Sequence, residues 1–328
     1  MEDYELDYDI QEVRLSEDLV YNITTVANEA LPLEMLLELE TRSEEISGQR
    51  LWEGSLLLCS YLAEACKVGH TRMLDFNGKS VLELGAGTGL VGMLSHSLGA
   101  SPVVVTDGDD KCVTMAQKNL EGNGIRKEEA FVSVLRWGED ESIRAFCEEF
   151  SHWERRRTSG EDRLEAYGSG DAEQAVKEVQ DGSTTALHGD EGPHNTSSTH
   201  EVVNAETAVH PLPTKTPAGT PSGWPVQYFD FVLAGDVLYK QSLLIPFLGT
   251  VQKMLARDGR LFLCHIPRAG VTYDIVERAF LDAGFEFQIL SGKDGGHVVG
   301  GVELCADDAR RARLYSVSRI EESSDRIA

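Results

Sequence analysis

Two stretches of the chain carry residues whose types and spacing bear on chemistry. In SVLELGAGTGLVG (Ser80–Gly92) the glycines Gly85, Gly87 and Gly89, with Ala86 between the first two, follow an apolar run; VVVTDGDD (Val103–Asp110) is a second apolar run ending in acids. Val81, Leu82 and Leu84 predict a buried strand and Leu90 to Leu98 a helix, so the glycines fall on the strand-to-helix turn. Such a tight turn needs dihedrals that side chains disfavour, and bare backbone lets a ligand approach closely. That makes cofactor binding the chemistry to expect.

The neighbours select the cofactor. A dinucleotide site reads G-x-G-x-x-G/A, with the helix N-terminus neutralising a pyrophosphate. Here the third position is Leu90, and Glu83 stands two residues before the first glycine, where it would repel a diphosphate but suit an ammonium. S-adenosyl-L-methionine carries an ammonium and no phosphate, so it is the expected cofactor; NAD and a ligand-free turn are the alternatives. Asp107 closes the second strand about twenty residues on, where an acid accepts both hydroxyls of a ribose. A second chemical position follows in YFDFVLAGDVLYK, where FDFVLA reads as a strand and Gly235, Asp236 and Tyr239 occupy the loop at its carboxyl end. In an open parallel sheet that end faces the ligand crevice. The alternatives are a helix N-cap for Asp236 and a packed aromatic for Tyr239.

The elements that must position these residues alternate. After the glycine helix and the Asp107 strand come a helix over Lys111–Leu120, a strand over Ala130–Trp137, the FDFVLA strand, a helix over Leu243–Leu255, a strand over Leu261–Arg268 and a helix over Thr272–Ala283. Strand, helix, strand implies parallel pairing with right-handed crossovers. FEFQIL (Phe285–Leu290) and RLYSVSRI (Arg313–Ile320) alternate as an antiparallel edge pair. The expected fold is therefore a Rossmann-like, seven-stranded, mostly parallel α/β sheet with helices on both faces. Upstream, LWEGSLLLCSYL (Leu51–Leu62) reads as a helix begun by Trp52, which considered alone would be a core aromatic.

Residues 1–50 read as an acidic N-terminal extension: disorder to about residue 15, strands within Val13–Val26, and a helix over Leu31–Arg42. Residues 51–328 form the main domain, interrupted over 151–224 by a Gly-, Pro-, Ser- and Thr-rich insertion that lacks apolar periodicity. It reads as one disordered loop with a short helix over Ala172–Val179, and a second small domain is the alternative. The balance of 30 basic and 55 acidic residues, net −25, argues against nucleic acid as partner. No run of eighteen apolar residues exists and the acidic N-terminus is unlike a signal or transit peptide, so the expectation is a monomer off the membrane, in the cytoplasm or also the nucleus. Six scattered cysteines without C-x-x-C predict reduced, buried thiols and no metal site.

With these residues in place, the chain resembles the seven-β-strand methyltransferases, and within them the protein-lysine methyltransferase group. The likeness rests on RLWEGSLLLCSYL, VLELGAGTGLVG, the acid of VVVTDGD with Asn119 and Asn123 after it, LRWG, and DVLY (Asp236 to Tyr239). It implies transfer of methyl groups from S-adenosyl-L-methionine to a lysine of a protein substrate. The cofactor would lie against Trp52, Glu83, Gly85, Ala86, Gly87, Asp107, Trp137 and Gly235, with Asp236 and Tyr239 as the catalytic pair. Action on a small molecule or on protein histidine, or a non-catalytic binding module, are the other readings. The insertion departs from the family pattern and leaves the substrate open.

Overall fold

A computed structural model of the chain describes residues 7–27, 48–67, 73–159, 228–268, 270–290 and 306–320. The helices expected over Leu31–Arg42 and Ala172–Val179, and the disorder expected beyond residue 159, lie outside the described residues. Residues 1–155 together with 221–328 form one compact unit, and residues 156–220 are grouped as another.

Strands β1 (Tyr8–Arg14) and β2 (Val20–Val26) form a separate two-stranded sheet. Helix α1 (Glu53–Ala65) leads to β3 (Val81–Leu84), α2 (Leu90–Ser97), β4 (Val103–Asp107), α3 (Asp110–Gly122), β5 (Ala130–Val134) and α4 (Asp140–Ser159). Order continues with β6 (Phe229–Gly235), a short 3-10 turn at Gln241–Leu243, α5 (Leu244–Met254), β7 (Leu255–His265), α6 (Tyr273–Asp282), β8 (Phe285–Ile289), α7 (Ala306–Arg311) and β9 (Arg313–Arg319). The main sheet runs β5-β4-β3-β6-β7-β9-β8. Its pairings from β5 to β7 are parallel, while β9 pairs antiparallel with both β7 and β8. Seven strands and the antiparallel edge agree with the expectation; that β9 slots inside β8 is a matter of topology alone.

Both faces of the sheet are covered, which is why VLEL of β3 is buried throughout. One face packs Leu56, Leu62, Val91, Leu94, Ala116 and Leu120 of α1, α2 and α3 against Val105 and Phe262. The other packs Phe146, Phe150, Phe247 and Phe280 of α4, α5 and α6 against Phe229 and Val232. At the lower edge the Asp230 carboxylate accepts from the Ser80 backbone and hydroxyl, both at 2.9 Å, tying the start of β6 to that of β3. Among the described residues no helix is long and apolar enough to cross a membrane, and Cys59, Cys66, Cys112, Cys147 and Cys264 are buried free thiols.

Two expectations need correction. Regular structure does not break at Ser151, because α4 continues to Ser159 with Ile143, Phe146, Cys147, Phe150 and Trp153 buried at helical intervals. Trp153 also donates its indole N–H to the Lys127 carbonyl at 2.8 Å. Nor is the chain before residue 15 without structure. Tyr8 pairs with Val26 and Arg14 with Val20, and the hairpin buries Val13, Tyr21 and Ile23 in the same core as α1 and α2.

Asn119 of α3 and Asn123, the C-cap of that helix, clasp that hairpin. The Asn119 amide accepts from Thr24 N at 2.9 Å and donates to the carbonyls of Thr24 and Thr88, each at 3.0 Å. Asn123 exchanges the same pair of bonds with the backbone of Asn22. Asn119 is 2% exposed, so Asn119→Ala strands buried backbone groups and is expected to cost about 1–3 kcal/mol of unfolding free energy. Urea denaturation checks this, and a midpoint equal to that of the native chain would show that the clasp is dispensable.

Candidate active site

From β3 the chain builds outward through β4 to β5, then crosses to β6 on the other side of β3. The strand order reverses at that point, and the crevice beyond the carboxyl ends of β3 and β6 is the place for a ligand. A cavity of about 790 Å³ opens there. Trp52, Gly85, Ala86, Gly87, Asp107, Trp137, Gly235, Asp236 and Tyr239 all line it. Of the residues picked from sequence only Glu83 does not.

The floor is backbone. Gly85, Gly87 and Gly89 adopt φ of 67°, 53° and 81°, the left-handed region that disfavours a side chain. A Cβ on Gly87 would come within 2.5 Å of the Gly48 carbonyl, so no side chain fits at that position. Asp107 stabilises this shape as it faces inward: Oδ2 accepts from Gly87 N at 2.9 Å and Oδ1 from Asp109 N at 3.0 Å. Each oxygen of a carboxylate keeps a further lone pair for a diol. Burial raises the carboxyl of Asp107, and those backbone donors pull it down.

Glu83 stands apart from the cavity lining. It is 2% exposed and lies beneath the loop, where Oε2 accepts from Gly92 N in the first turn of α2 at 2.8 Å. It thus satisfies one of the orphan donors of a helix start. Burial pushes its carboxyl up to about 8. A carboxyl raised on folding favours the folded state while protonated; that contribution is complete below the ordinary value of 4.5 and is lost as pH rises through about 8. Relative to the native chain, the melting temperature of Glu83→Gln is therefore expected to rise by several degrees between pH 5 and pH 9. A difference that does not vary with pH would show that Glu83 does not titrate in this interval.

The walls are aromatic. Trp137 meets Phe247 edge to face at 5.1 Å, and among the described residues its buried indole N–H has no partner, leaving a donor for a bound acceptor. Trp52 stands at the N-cap of α1. Helix α1 comes this close because Gly54 and Gly235 lack side chains: a Cβ on Gly54 would sit 2.4 Å from the Asp236 Cβ, and one on Gly235 2.6 Å from Ser55 Oγ. The contact drawn at Gly54 was not legible in the chain order.

At the far end Asp236 holds a non-glycine φ of 60° and its side chain is 2% exposed. It is no N-cap, since the following 3-10 turn is capped at Lys240. The carboxylate pairs instead with the guanidinium of Arg268, whose Cζ lies 4.9 Å from the centre of the Trp52 ring. Burial pushes the Asp236 carboxyl up to about 7, and Arg268 draws it down. Tyr239 is half-buried against the same cavity, its phenol raised by burial. Sequence reasoning missed Arg268, although the signal was present: it ends LFLCHIPR, and the carboxyl end of a parallel strand is where Asp236 was sought. A bare-backbone floor, a diol acceptor, two indole walls and a buried acid with a phenol beside it suit a nucleoside carrying an amino acid, with room for a second reactant.

Residues 32–150 match the family model described as lysine methyltransferase. The span carries Trp52, the glycine loop, Asp107 and Trp137, whereas Asp236, Tyr239 and Arg268 lie beyond it. EEF1A lysine methyltransferase 3 of Xenopus tropicalis is 40% identical over 91 residues, 28% of this chain and 37% of its own length. Protein-lysine N-methyltransferase EFM6 of Saccharomyces cerevisiae is 36% identical over 110 residues, 30% of this chain and 44% of its own. The chain therefore spans less than half the length of these curated relatives. Among solved structures, the ribosomal protein L11 methylase of Lactobacillus delbrueckii subsp. bulgaricus is similar over 95% of this chain and 98% of that one, at 14% identity and a TM-score of 0.41.

Proposed function

We propose that the chain transfers methyl groups from S-adenosyl-L-methionine to a lysine side chain of a protein substrate. The observation that carries this is the joining, in one cavity, of the Asp107 carboxylate on the glycine floor with Asp236 and Tyr239 at the opposite end. The family match and the relatives named as lysine methyltransferases support the choice of acceptor, and a net charge of −25 favours a basic protein over nucleic acid as partner.

When bound, the cofactor supplies an electrophilic methyl on a sulfonium centre. The residues of the chain then have separable tasks. The Gly85–Gly87 backbone admits the methionine half, Asp107 accepts the ribose hydroxyls, and the Trp137 N–H offers a hydrogen bond within the walls. Lysine has a solution pKa of about 10.4 and attacks only as the free amine, so the site must favour the neutral form and aim its lone pair. Asp236 and the Tyr239 hydroxyl are acceptors for the amine's N–H groups, leaving the lone pair for the methyl carbon. Positioning is thus the main catalytic contribution.

Incubating the protein with a cell lysate and methyl-labelled cofactor tests this. A labelled protein band that hydrolyses to methyl-lysine is the expected result. Label in methyl-histidine or in small molecules only would move the acceptor class, and no transfer with retained cofactor binding would reduce the protein to a binding module.

A further inference from the structure

The reading of Asp236 as the acceptor-side group leaves an unanswered physical question: what lets a carboxyl that is 2% exposed ionise near neutral pH beside other acids. Among the described residues, the charged and titratable groups that act on it are Glu53 of α1, Asp308 of α7, Cys264 of β7 and Arg268 of the loop after β7. Arg268 is the one cation among them. We propose that Arg268 is a positioning residue, which holds the Asp236 carboxylate charged and oriented against Trp52 so that it receives an amine as a hydrogen-bond acceptor. This rests on the proposed role of Asp236.

The geometry fits an arginine in particular. One end of the guanidinium bonds Asp236 Oδ2 and its Cζ lies over the indole of Trp52, so the fork is held by a hydrogen bond at one end and by an aromatic face. The side chain is 29% exposed against 2% for its partner, so it screens Asp236 from water and closes that corner of the cavity. The loop that carries it is tied to α7, for Arg311 donates to the Pro267 carbonyl one residue before. Without Arg268, the two acids and burial would keep Asp236 protonated to higher pH than in the native chain. A protonated carboxyl donates where a carboxylate accepts. It would bond the amine's lone pair, the electrons that must form the new N–C bond as the C–S electrons pass to sulfur.

The test compares native protein, Arg268→Lys, Arg268→Met and Asp236→Asn. Label transfer from saturating cofactor to lysate protein is measured between pH 6.5 and 9.5, with S-adenosylhomocysteine affinity measured alongside. The acceptor's own ionisation cancels in the ratio of variant to native rate. For Arg268→Met that ratio is expected to be about one tenth or less at pH 7 and to climb at least about threefold by pH 9.5, as Asp236 loses its proton. Cofactor affinity should stay within about threefold, and Arg268→Lys should recover much of the loss at pH 7. A flat ratio, whether near one or uniformly low, overturns the proposal, since a merely structural role does not titrate. If Asp236→Asn matches the native rate, the charge of Asp236 is not needed and this inference falls; if Asp236→Asn is impaired while the Arg268→Met ratio is flat, only Arg268 is misassigned. Should Arg268→Met fail to fold, Arg268→Gln is read against the same outcomes.

Discussion

Asp236→Ala is expected to lower methyl transfer about a hundredfold at saturating cofactor and substrate, the size of loss seen when an orienting contact made in the transition state is removed. Cofactor affinity should change by no more than a few-fold, because the ribose and the walls have their own partners in Asp107 and Trp137. The substitution is not free of structural cost. Asp236 sits at φ 60°, where alanine is strained, and its loss leaves Arg268 without the carboxylate it pairs with. Asp236→Asn is the cleaner variant: asparagine tolerates this backbone, keeps the volume and retains one carbonyl acceptor, but cannot balance a developing alkylammonium by charge. Steady-state rates of both variants, beside calorimetric titration with S-adenosylhomocysteine, decide the matter. Full activity in Asp236→Asn would remove the electrostatic part of the role. Loss of cofactor binding in a folded Asp236→Ala would assign the residue to the cofactor instead.

The second large effect belongs to Asp107. Asp107→Ala should weaken S-adenosylhomocysteine binding by about 1.5–3 kcal/mol, roughly ten- to more than a hundredfold, the range for hydrogen bonds to a charged group. Part of that loss would come through the floor, because the same carboxylate holds the N–H of Gly87 and of Asp109. Asp107→Asn separates the two contributions poorly by design: its amide would point N–H at one of those donors, so it is expected to bind no better than the alanine variant within a few-fold. An affinity unchanged from native in Asp107→Ala would take this residue out of the site.

Much of the site was legible before any coordinates. A glycine turn between a short apolar run and an apolar helix, with an acid closing the next strand, constrains the backbone locally, and parallel βαβ order then brings the carboxyl ends of those strands to one crevice. DVLY reached the same crevice by the same rule. Helix α4 was under-read past Ser151 although Phe150 and Trp153 continue its apolar stripe, because the intervening Glu and Arg residues of its solvated face resemble the polar insertion that follows. The first strand was under-read because seven alternating residues cannot show whether a partner strand exists, and β2 supplies it.

By itself, then, the sequence determined the seven strands, the glycine floor, the acid at the end of β4 and the acid after β6, all features that periodicity and turn chemistry encode within a few residues. Tertiary structure alone decided which way the side chains face and whom they meet. Glu83 is one strand residue from facing elsewhere, and only the packing of α2 over β3 turns it under the loop to Gly92. Arg268 meets Asp236 across 32 residues, and Ser55 of α1 reaches the Gly235 carbonyl across 180, contacts that depend on the sheet having closed and on two glycines leaving room for the helix. The charge state of the acceptor end follows from that closure, because a carboxylate is costly to bury until folding brings a cation to it.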